Sequence, residues 1–203
     1  SFIVEWANTT YNGLPRFFGF LDILKRQWTE MNSADFPADL DDASRELLQK
    51  IHPVAELLIV SGETIGSELV GEIERYCQPV FTPAVHVSSG LEYYALKNYG
   101  AGLASGDLLC FLDSDIYPDP GWLHYLLGSF AQDQIGAVAG VPYVAPIDLF
   151  SRAFALGWTY PLPEKPGGLS IPTKFYANNL VLRAEVFRQA GFPELQRRTR
   201  GAG

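Results

Sequence analysis

The sequence predicts a single α/β domain whose central sheet is mainly parallel and flanked by helices. Short runs rich in β-branched and aromatic residues alternate with stretches of helical periodicity, and this alternation is typical of such sheets. Of the 203 residues, 47% are hydrophobic, which is enough for a sizeable core. Finally, Asp113 and Asp115 follow an apolar run, at the kind of strand end where open α/β sheets bind their ligands.

The elements before residue 115 follow from the spacing of apolar residues. Extended segments are predicted at residues 2–4, 55–63, 79–87 and 107–113. Helices are predicted at residues 14–31, from about residue 41, at residues 64–75 and at residues 90–106. The apolar face of the last helix is predicted to carry Leu91, Tyr94, Ala95, Asn98, Tyr99 and Gly102. An unpaired amide on such a face is costly, so Asn98 is expected to have a buried partner, either a ligand or backbone.

The elements after residue 115 are shorter. Asp119 and Pro120 are predicted to begin a helix as its cap and its first residue. Residues 136–146 are predicted to be extended, and residues 174–191 to form a strand and a short helix. Residues 157–173, which are rich in proline and glycine, are predicted to be a long irregular loop, and such loops are often functional.

Charge and cysteine content exclude some classes of partner. The net charge of −8 argues against a general nucleic-acid binder, which needs a basic face. An anionic ligand must therefore be bound locally, through a metal, backbone N–H groups or a few cations. Cys77 and Cys110 are predicted to be free thiols, which favours a reducing compartment and a cytoplasmic location. No apolar run approaches the length of a membrane span, and peripheral contact with a membrane is left open.

The aspartate pair has two interpretations. Two carboxylates at a strand end suit a hard divalent cation, which takes oxygen ligands and often keeps phosphate oxygens and water as the others. Asp113 and Asp115 are therefore candidates to hold Mg²⁺ or Mn²⁺ carrying a diphosphate. The alternative is a solvated turn whose aspartates cap the next helix.

The stretch LKNYGAGLASGDLLCFLDSDIYPDPGWL resembles the GT-A glycosyltransferases of the inverting family 2. The elements that carry the resemblance, in order, are Lys97-Asn98-Tyr99-Gly100, Ser105-Gly106-Asp107, Asp113-Ser114-Asp115 and Pro118-Asp119-Pro120-Gly121-Trp122-Leu123. The likeness covers most of residues 1–194. It implies a GT-A fold and a single catalytic domain over residues 1–203, cut short at its C-terminal end. Residues 1–115 would be the nucleotide-binding half, and residues 116–203 the donor-sugar and acceptor half.

The resemblance also implies roles for individual residues. Asp115 would ligate the metal, and Asp113 would hold the ribose hydroxyls or a metal-bound water. The residues implied in nucleotide binding are Glu5, Asn8, Glu63, Lys97, Asn98 and Asp113. Those implied in donor-sugar or acceptor binding are Asn178 and Asn179. Trp158 and Tyr160 lie in the proline-rich loop and are candidates to stack against a sugar. Simpler interpretations stay open: a solvated Lys97, a strand-end turn at the two asparagines, and packing of the loop around the two aromatic residues.

The sequence departs from the family pattern at two strand ends. Glu5-Trp6-Ala7-Asn8 stands where the family usually has Pro-Thr-Tyr-Asn, and Ser61-Gly62-Glu63 stands where it often has aspartates that bind the base. Glu63 can still accept a hydrogen bond from a uracil N–H. The identity of the base is therefore left open between UDP-sugars and GDP-sugars.

The implied reaction is the inverting transfer of a sugar from a nucleotide diphosphate to a hydroxyl of a saccharide, a lipid-linked acceptor or another acceptor. It needs a carboxylate base, which in this family usually lies in a Glu-Asp pair expected beyond Gly203; Glu194 is the candidate within the chain. The alternatives are a nucleotide-sugar-binding module without turnover and a sugar nucleotidyltransferase. The latter needs a glycine-rich loop with arginine after the first strand, where WANTTYNGLPR has one glycine.

Overall fold

The structure is a computed structural model that describes residues 1–33, 36–51, 53–144, 148–158 and 176–193, with the backbone alone for residues 157 and 158. Within these ranges the strands are β1 Phe2–Glu5, β2 Ala55–Ser61, β3 Phe81–Val87, β4 Leu108–Asp113, β5 Ala137–Ala139 and β6 Asn179–Arg183. The helices are α1 Ala7–Asn12, α2 Leu14–Asn32, α3 Asp42–Gln49, α4 Ser67–Cys77, α5 Tyr93–Leu103, α6 Trp122–Gly128, α7 Leu149–Trp158 and α8 Ala184–Ala190. A short 3-10 helix, Ser129–Ala131, follows α6.

The strands form one six-stranded sheet in the order β3-β2-β1-β4-β6-β5. Strands β3, β2, β1 and β4 are parallel, and β6 runs antiparallel to both of its neighbours. The prediction of a mainly parallel sheet flanked by helices is confirmed. The register sets Glu5 beside Val60 on one side and Asp113 on the other, so the carboxyl ends of β1, β2 and β4 share one edge.

Residues of β1 and β4 alternate between two apolar layers, because successive side chains of a strand point to opposite faces. One layer joins Val4 and Leu112 to the buried residues of α2, such as Phe17 and Trp28. The other joins Ile3, Leu58, Phe111 and residues of α5 and α8. Strands covered on both faces read as continuous apolar runs, which is why the central strands could be recognised in the sequence.

Helix α5 packs unusually close to the sheet. A Cβ atom built on Gly100 would lie 2.6 Å from Cγ2 of Ile3, so the close approach requires glycine at this position. The buried residues of α5 are Leu96, Lys97 and Gly100, whereas Gly102 is exposed. The predicted apolar face of this helix is therefore correct in part: Leu91 and Tyr99 pack against the second layer, Gly102 does not, and the chain buries a lysine that the periodicity left outside.

The structure corrects several other predictions. Helix α6 begins at Trp122, because Gly121 adopts a left-handed conformation with φ of 78° and interrupts any helix started at Asp119 and Pro120. The buried side chain of Gln27 fixes this start: its Nε2 donates to the Asp119 carbonyl at 2.9 Å and its Oε1 accepts from the Leu123 amide at 3.0 Å. Helices α1 and α7 were not predicted, and α4 begins three residues later than predicted.

The predicted loop at residues 157–173 falls almost wholly outside the described residues, and its first two positions end α7. Cys77 and Cys110 are buried and free, as predicted. Burial raises the pKa of Cys77 to about 11 and that of Cys110 to about 12. None of the described helices combines the length and the apolar character needed to cross a bilayer.

Candidate functional site

The aspartate pair lies at the carboxyl edge of the sheet, where β4 ends. Asn8, in the helix that follows β1, joins the two aspartates. Its Nδ2 donates to Oδ2 of Asp113 at 3.2 Å and to Oδ1 of Asp115 at 3.0 Å. Asn8 therefore contacts both aspartates, although it lies more than 100 positions before them in the chain.

Asp113 is held from inside the protein. Lys97, fully buried, donates from Nζ to Oδ1 of Asp113 at 2.8 Å and to the carbonyls of Leu112 and Ala177 at 3.3 and 2.9 Å. Tyr93 donates its hydroxyl to the same Oδ1 at 2.9 Å. Burial, followed by the charge of Asp113, raises the pKa of Tyr93, which keeps the phenol a donor. The solvated-lysine interpretation is wrong, and a direct contact of Lys97 with nucleotide stays a prediction.

Asp115 is held from outside by amides. Asn12 donates from Nδ2 to its Oδ2 at 2.8 Å, and Asn8 takes its Oδ1. Arg16 donates from Nε to its backbone carbonyl at 3.0 Å, not to its carboxylate. Burial and then the negative charge of Asp113 raise the pKa of Asp115. No described cation forms an ion pair with this carboxylate.

An open cleft of about 320 Å³ lies at the same edge of the sheet, between the segments that follow β1 and β2. Its walls are formed by Trp6, Thr9, Thr10, Gly13, Leu14, Glu63, Thr64, Ile65, Gly66 and Leu69. The exposed Glu63 carboxylate accepts a bond of 3.5 Å from the Thr10 hydroxyl, and the Ser61 hydroxyl fixes the Glu63 backbone. The buried Thr9 hydroxyl has no hydrogen-bond partner in the described part of the chain.

The family model for glycosyl transferase family 2 matches residues 37–191, which is more than half of the chain. The chain belongs to glycosyl transferase family 2. The O-antigen biosynthesis protein RfbC of Myxococcus xanthus is 30% identical to it, in an alignment that covers 71% of this chain and 12% of that protein. The predicted resemblance is confirmed.

A solved structure with a similar fold is the mannosyltransferase PcManGT from Pyrobaculum calidifontis, in complex with GDP-Man and Mn²⁺. The TM-score is 0.58 at 18% identity, and the match covers 95% of this chain and 46% of that one. The fold is therefore the GT-A fold, as predicted. The family 2 chain described here spans less than half the length of either relative.

Other predicted residues of this family 2 chain have protein partners. Both polar atoms of the Asn98 amide bond the backbone of Phe192, each at 2.9 Å, so its expected partner is backbone. Oδ1 of Asn179 accepts from Nε1 of Trp122 at 2.8 Å. Glu5 is fully buried, and its Oε1 accepts from the amide of Ala7 at 2.7 Å. Their roles toward nucleotide or sugar stay predictions.

Asn178 stands beside Asp113. Its carbonyl accepts from the Asp113 amide at 3.3 Å, and its Oδ1 is buried without a partner among the described residues. The hydroxyl of Ser114 is likewise buried and has no hydrogen-bond partner among the described residues. Tyr160 and Glu194 lie outside the described residues, and so does the side chain of Trp158.

Three contacts of the family 2 site were missed from the sequence: Tyr93, Asn12 and Arg16. Tyr93 stands four residues before Lys97, and Asn12 four residues after Asn8. Residues at that spacing share a helix face. The spacing was therefore the signal that could have found both, whereas nothing local points to Arg16.

The donor atoms of the site fit a divalent cation. The described residues contain no cluster of three or more His, Cys, Asp or Glu that could hold a metal by themselves. Mg²⁺, however, is commonly bound by one or two carboxylates together with substrate phosphates and water. The carboxylate of Asp115 is bonded by neutral amides and forms no ion pair with a described cation, so it can ligate such an ion.

Proposed function

We propose that this chain transfers a sugar from a nucleotide-diphosphate donor to an acceptor hydroxyl with inversion, using a divalent cation at Asp113 and Asp115. The observation that carries the proposal is the contact of Asn8 with both carboxylates at the carboxyl edge of the sheet. Open α/β sheets bind their ligands at this edge, and an open cleft lined by Thr9 and Glu63 lies at the same edge. Family membership favours transfer over the nucleotidyltransferase alternative.

The cleft is the proposed site of the nucleoside. Trp6 and Ile65 supply apolar surface, and Glu63 supplies an acceptor for a base N–H. The Thr9 hydroxyl is buried and has no hydrogen-bond partner among the described residues. A buried polar group of this kind is expected to bond a ligand or water. A uracil ring and a guanine ring both carry N–H groups that Glu63 can accept, so UDP and GDP are both tested below.

Asp113 and Asp115 are the proposed binding site for the metal and the diphosphate of the donor. Lys97 and Tyr93 occupy Oδ1 of Asp113, which leaves Oδ2 turned toward Asn8 and the ligand side. A bound Mn²⁺ or Mg²⁺ would neutralise charge on the diphosphate as the bond to the sugar breaks. The similarity to a mannosyltransferase whose complex contains GDP-Man and Mn²⁺ supports this ion, without deciding between the two metals.

The remaining predictions become parts of the proposal. Residues 1–115 bind the nucleotide, and residues 116–203 contribute to the donor-sugar and acceptor side, with Asn178 beside Asp113. Inversion requires a base that takes the proton of the acceptor, for which Glu194 or a carboxylate beyond residue 203 is proposed. The acceptor, the cytoplasmic location and peripheral membrane contact stay predictions.

Calorimetry of the chain with UDP and with GDP, each with and without Mn²⁺, tests the proposal. We expect binding of at least one nucleotide that requires the metal and is lost in Asp115→Asn. The matched control is Asp133→Asn, which removes an exposed carboxylate near the opposite edge of the sheet. Loss of binding in both variants, or in neither, would remove the metal assignment.

A transfer assay separates an enzyme from a binding module. It measures release of UDP or GDP from a panel of nucleotide hexoses with saccharide acceptors. Metal-dependent release above the level of Asp115→Asn supports transfer. Tight binding without release would favour the nucleotide-sugar-binding module instead.

A further inference from the structure

The proposed donor site has a charge problem that one exposed arginine can solve. Glu63 lines the cleft, Asp113 and Asp115 lie at the same edge of the sheet, and the chain as a whole carries a net charge of −8. A nucleotide diphosphate is itself an anion, so it needs local positive charge to approach this edge. Of the described lysines and arginines, Lys97 and Arg16 contact residues 112–117.

Lys97 is not available to the diphosphate. It is fully buried, and its ammonium bonds Asp113 and the carbonyls of Leu112 and Ala177. An ammonium has three protons, and these three acceptors match them in number. The positive charge of Lys97 is therefore already balanced by Asp113.

Arg16 differs from Lys97. It is exposed, and its Nε donates to the backbone carbonyl of Asp115, so its charge acts on the Asp115 carboxylate without forming an ion pair with it. Its guanidinium lies over the ring of Tyr117, with Cζ 4.7 Å from the ring centroid. No hydrogen bond of Nη1 or Nη2 is found to any described residue.

The position of the guanidinium is therefore fixed while its terminal donors stay available. The hydrogen bond through Nε and the stacking on Tyr117 restrict the side chain before a ligand arrives, which lowers the entropy lost on binding. A guanidinium fork also matches phosphate oxygens in a bidentate arrangement. The carboxylate of Asp115 does not compete for these donors, because Asn8 and Asn12 already bond its two oxygens.

We propose that Arg16 binds the diphosphate of the nucleotide donor through its terminal nitrogens, on the side of Asp115 that faces α2. This inference rests on the proposed function. It predicts a contact that depends on the number of phosphates and not on the base.

Calorimetry with a ligand series tests the inference. The wild type, Arg16→Gln and Arg16→Lys are titrated with UDP, UMP and uridine, and with GDP, GMP and guanosine, all with Mn²⁺. For Arg16→Gln we expect the affinity for the diphosphate to fall about 10- to 100-fold, as for a lost bond to a charged group. The affinity for the nucleoside should change less than about twofold. Arg16→Lys should recover part of the loss, since lysine keeps the charge without the fork.

Arg26→Gln is the matched control, because Arg26 is exposed on the same helix and pairs with Glu30 one turn away. It should bind every ligand like the wild type. Thermal unfolding of each variant without ligand checks that the fold is retained.

Each alternative outcome overturns the inference. An equal loss for nucleoside and diphosphate in Arg16→Gln would mean that Arg16 only supports the turn at residues 115–117. Unchanged diphosphate affinity would remove Arg16 from the site and leave the proposed function standing. Failure of the wild type to bind any of the six ligands would overturn the proposed function and the inference together.

Discussion

Asp113 and Asp115 are two residues apart, yet their surroundings differ in kind. Asp113 bonds a buried lysine and a half-buried tyrosine of α5. Asp115 bonds two neutral amides, and Asn12, one of the donors, is exposed. The first carboxylate has its counter-charge inside the protein, and the second has none among the described ion pairs.

Under the proposed function, this difference predicts a structural role for Asp113 and a binding role for Asp115. A buried ion pair is costly to break, because removal of one partner leaves the other charge buried and unpaired. Asp113 should therefore be needed for folding as well as for binding. Asp115 should be needed for binding alone, because a cation that arrives with the donor can supply the missing charge.

Lys97→Met should produce the largest effect on stability. Methionine fills a similar volume but leaves Asp113 buried without its cation, so we expect the free energy of unfolding to fall by about 3–5 kcal/mol. Urea denaturation measures it. The control is Lys50→Met, whose exposed pair with Glu46 should contribute at most about 0.5 kcal/mol.

The double variant Lys97→Met/Asp113→Asn keeps this prediction testable if the single variant does not fold. It removes both charges and should recover part of the lost stability. Equal stability of Lys97→Met and Lys50→Met would show that the buried pair does not anchor Asp113.

Asp115→Asn should affect metal binding and not folding. We expect the affinity for Mn²⁺ to fall by at least about 100-fold, more than for the loss of a typical outer partner of a ligand. Without metal the variant should unfold no more easily than the wild type, since burial and Asp113 raise the pKa of Asp115 and its charged form is thus disfavoured in the fold. Electron paramagnetic resonance of free Mn²⁺ and urea denaturation measure the two quantities. A clear loss of stability would contradict the comparison.

Asn12→Ala should weaken the binding of Mn²⁺ about 10- to 100-fold, because outer partners orient a metal ligand. The effect should act through Asp115, so it should vanish when Asn12→Ala is introduced into Asp115→Asn. The control is Asn32→Ala, which removes another exposed amide, one that donates to the carbonyls of Trp28 and Pro53 and does not contact Asp115. A full effect of Asn12→Ala in the Asp115→Asn background would show that Asn12 acts without Asp115.

The sequence predicted the strand ends well and their connections poorly. Asp113 and Asp115 could be found because an apolar run marks where β4 ends, and ligands bind at such strand ends. Asn8 was found through the resemblance to the family. Lys97 was harder to place, because counting apolar residues cannot assign a charged residue to a buried face. Its burial depends on the close approach of α5 at Gly100 and on a counter-charge from another element.

The missed contacts show the same limit. The four-residue spacing could have placed Asn12 on the same helix face as Asn8. The contacts of Asn12 and Arg16 with residue 115 cross about a hundred positions, however, and follow only once β1 is known to pair with β4. Helix α1 has six residues, mostly polar, and offers no apolar periodicity. The apolar spacing predicted that Asn98 needs a hydrogen-bond partner, and it has one. No local pattern could show that this partner is the backbone of Phe192.

Tyr93→Phe should have the smallest effect, because Lys97 still bonds Oδ1 of Asp113 when the hydroxyl is gone. We expect a loss of about 1 kcal/mol in the free energy of unfolding and a change in Mn²⁺ affinity of less than about twofold. Tyr143→Phe removes a similar Tyr–Asp bond of 2.8 Å at an exposed position and should cost less.

The Tyr93 contribution should also be the same at pH values of about 6 and about 8. The fold raises the pKa of Tyr93 above its ordinary value of 10.0, through burial first and then the charge of Asp113. Stability from a raised pKa is fully present below the unfolded value and is lost only as the pH rises through the folded one, so both measurements lie on the plateau. Urea denaturation of wild type and Tyr93→Phe at the two pH values tests this. A loss as large as that of Lys97→Met would mean that the tyrosine, and not the lysine, holds Asp113 in place.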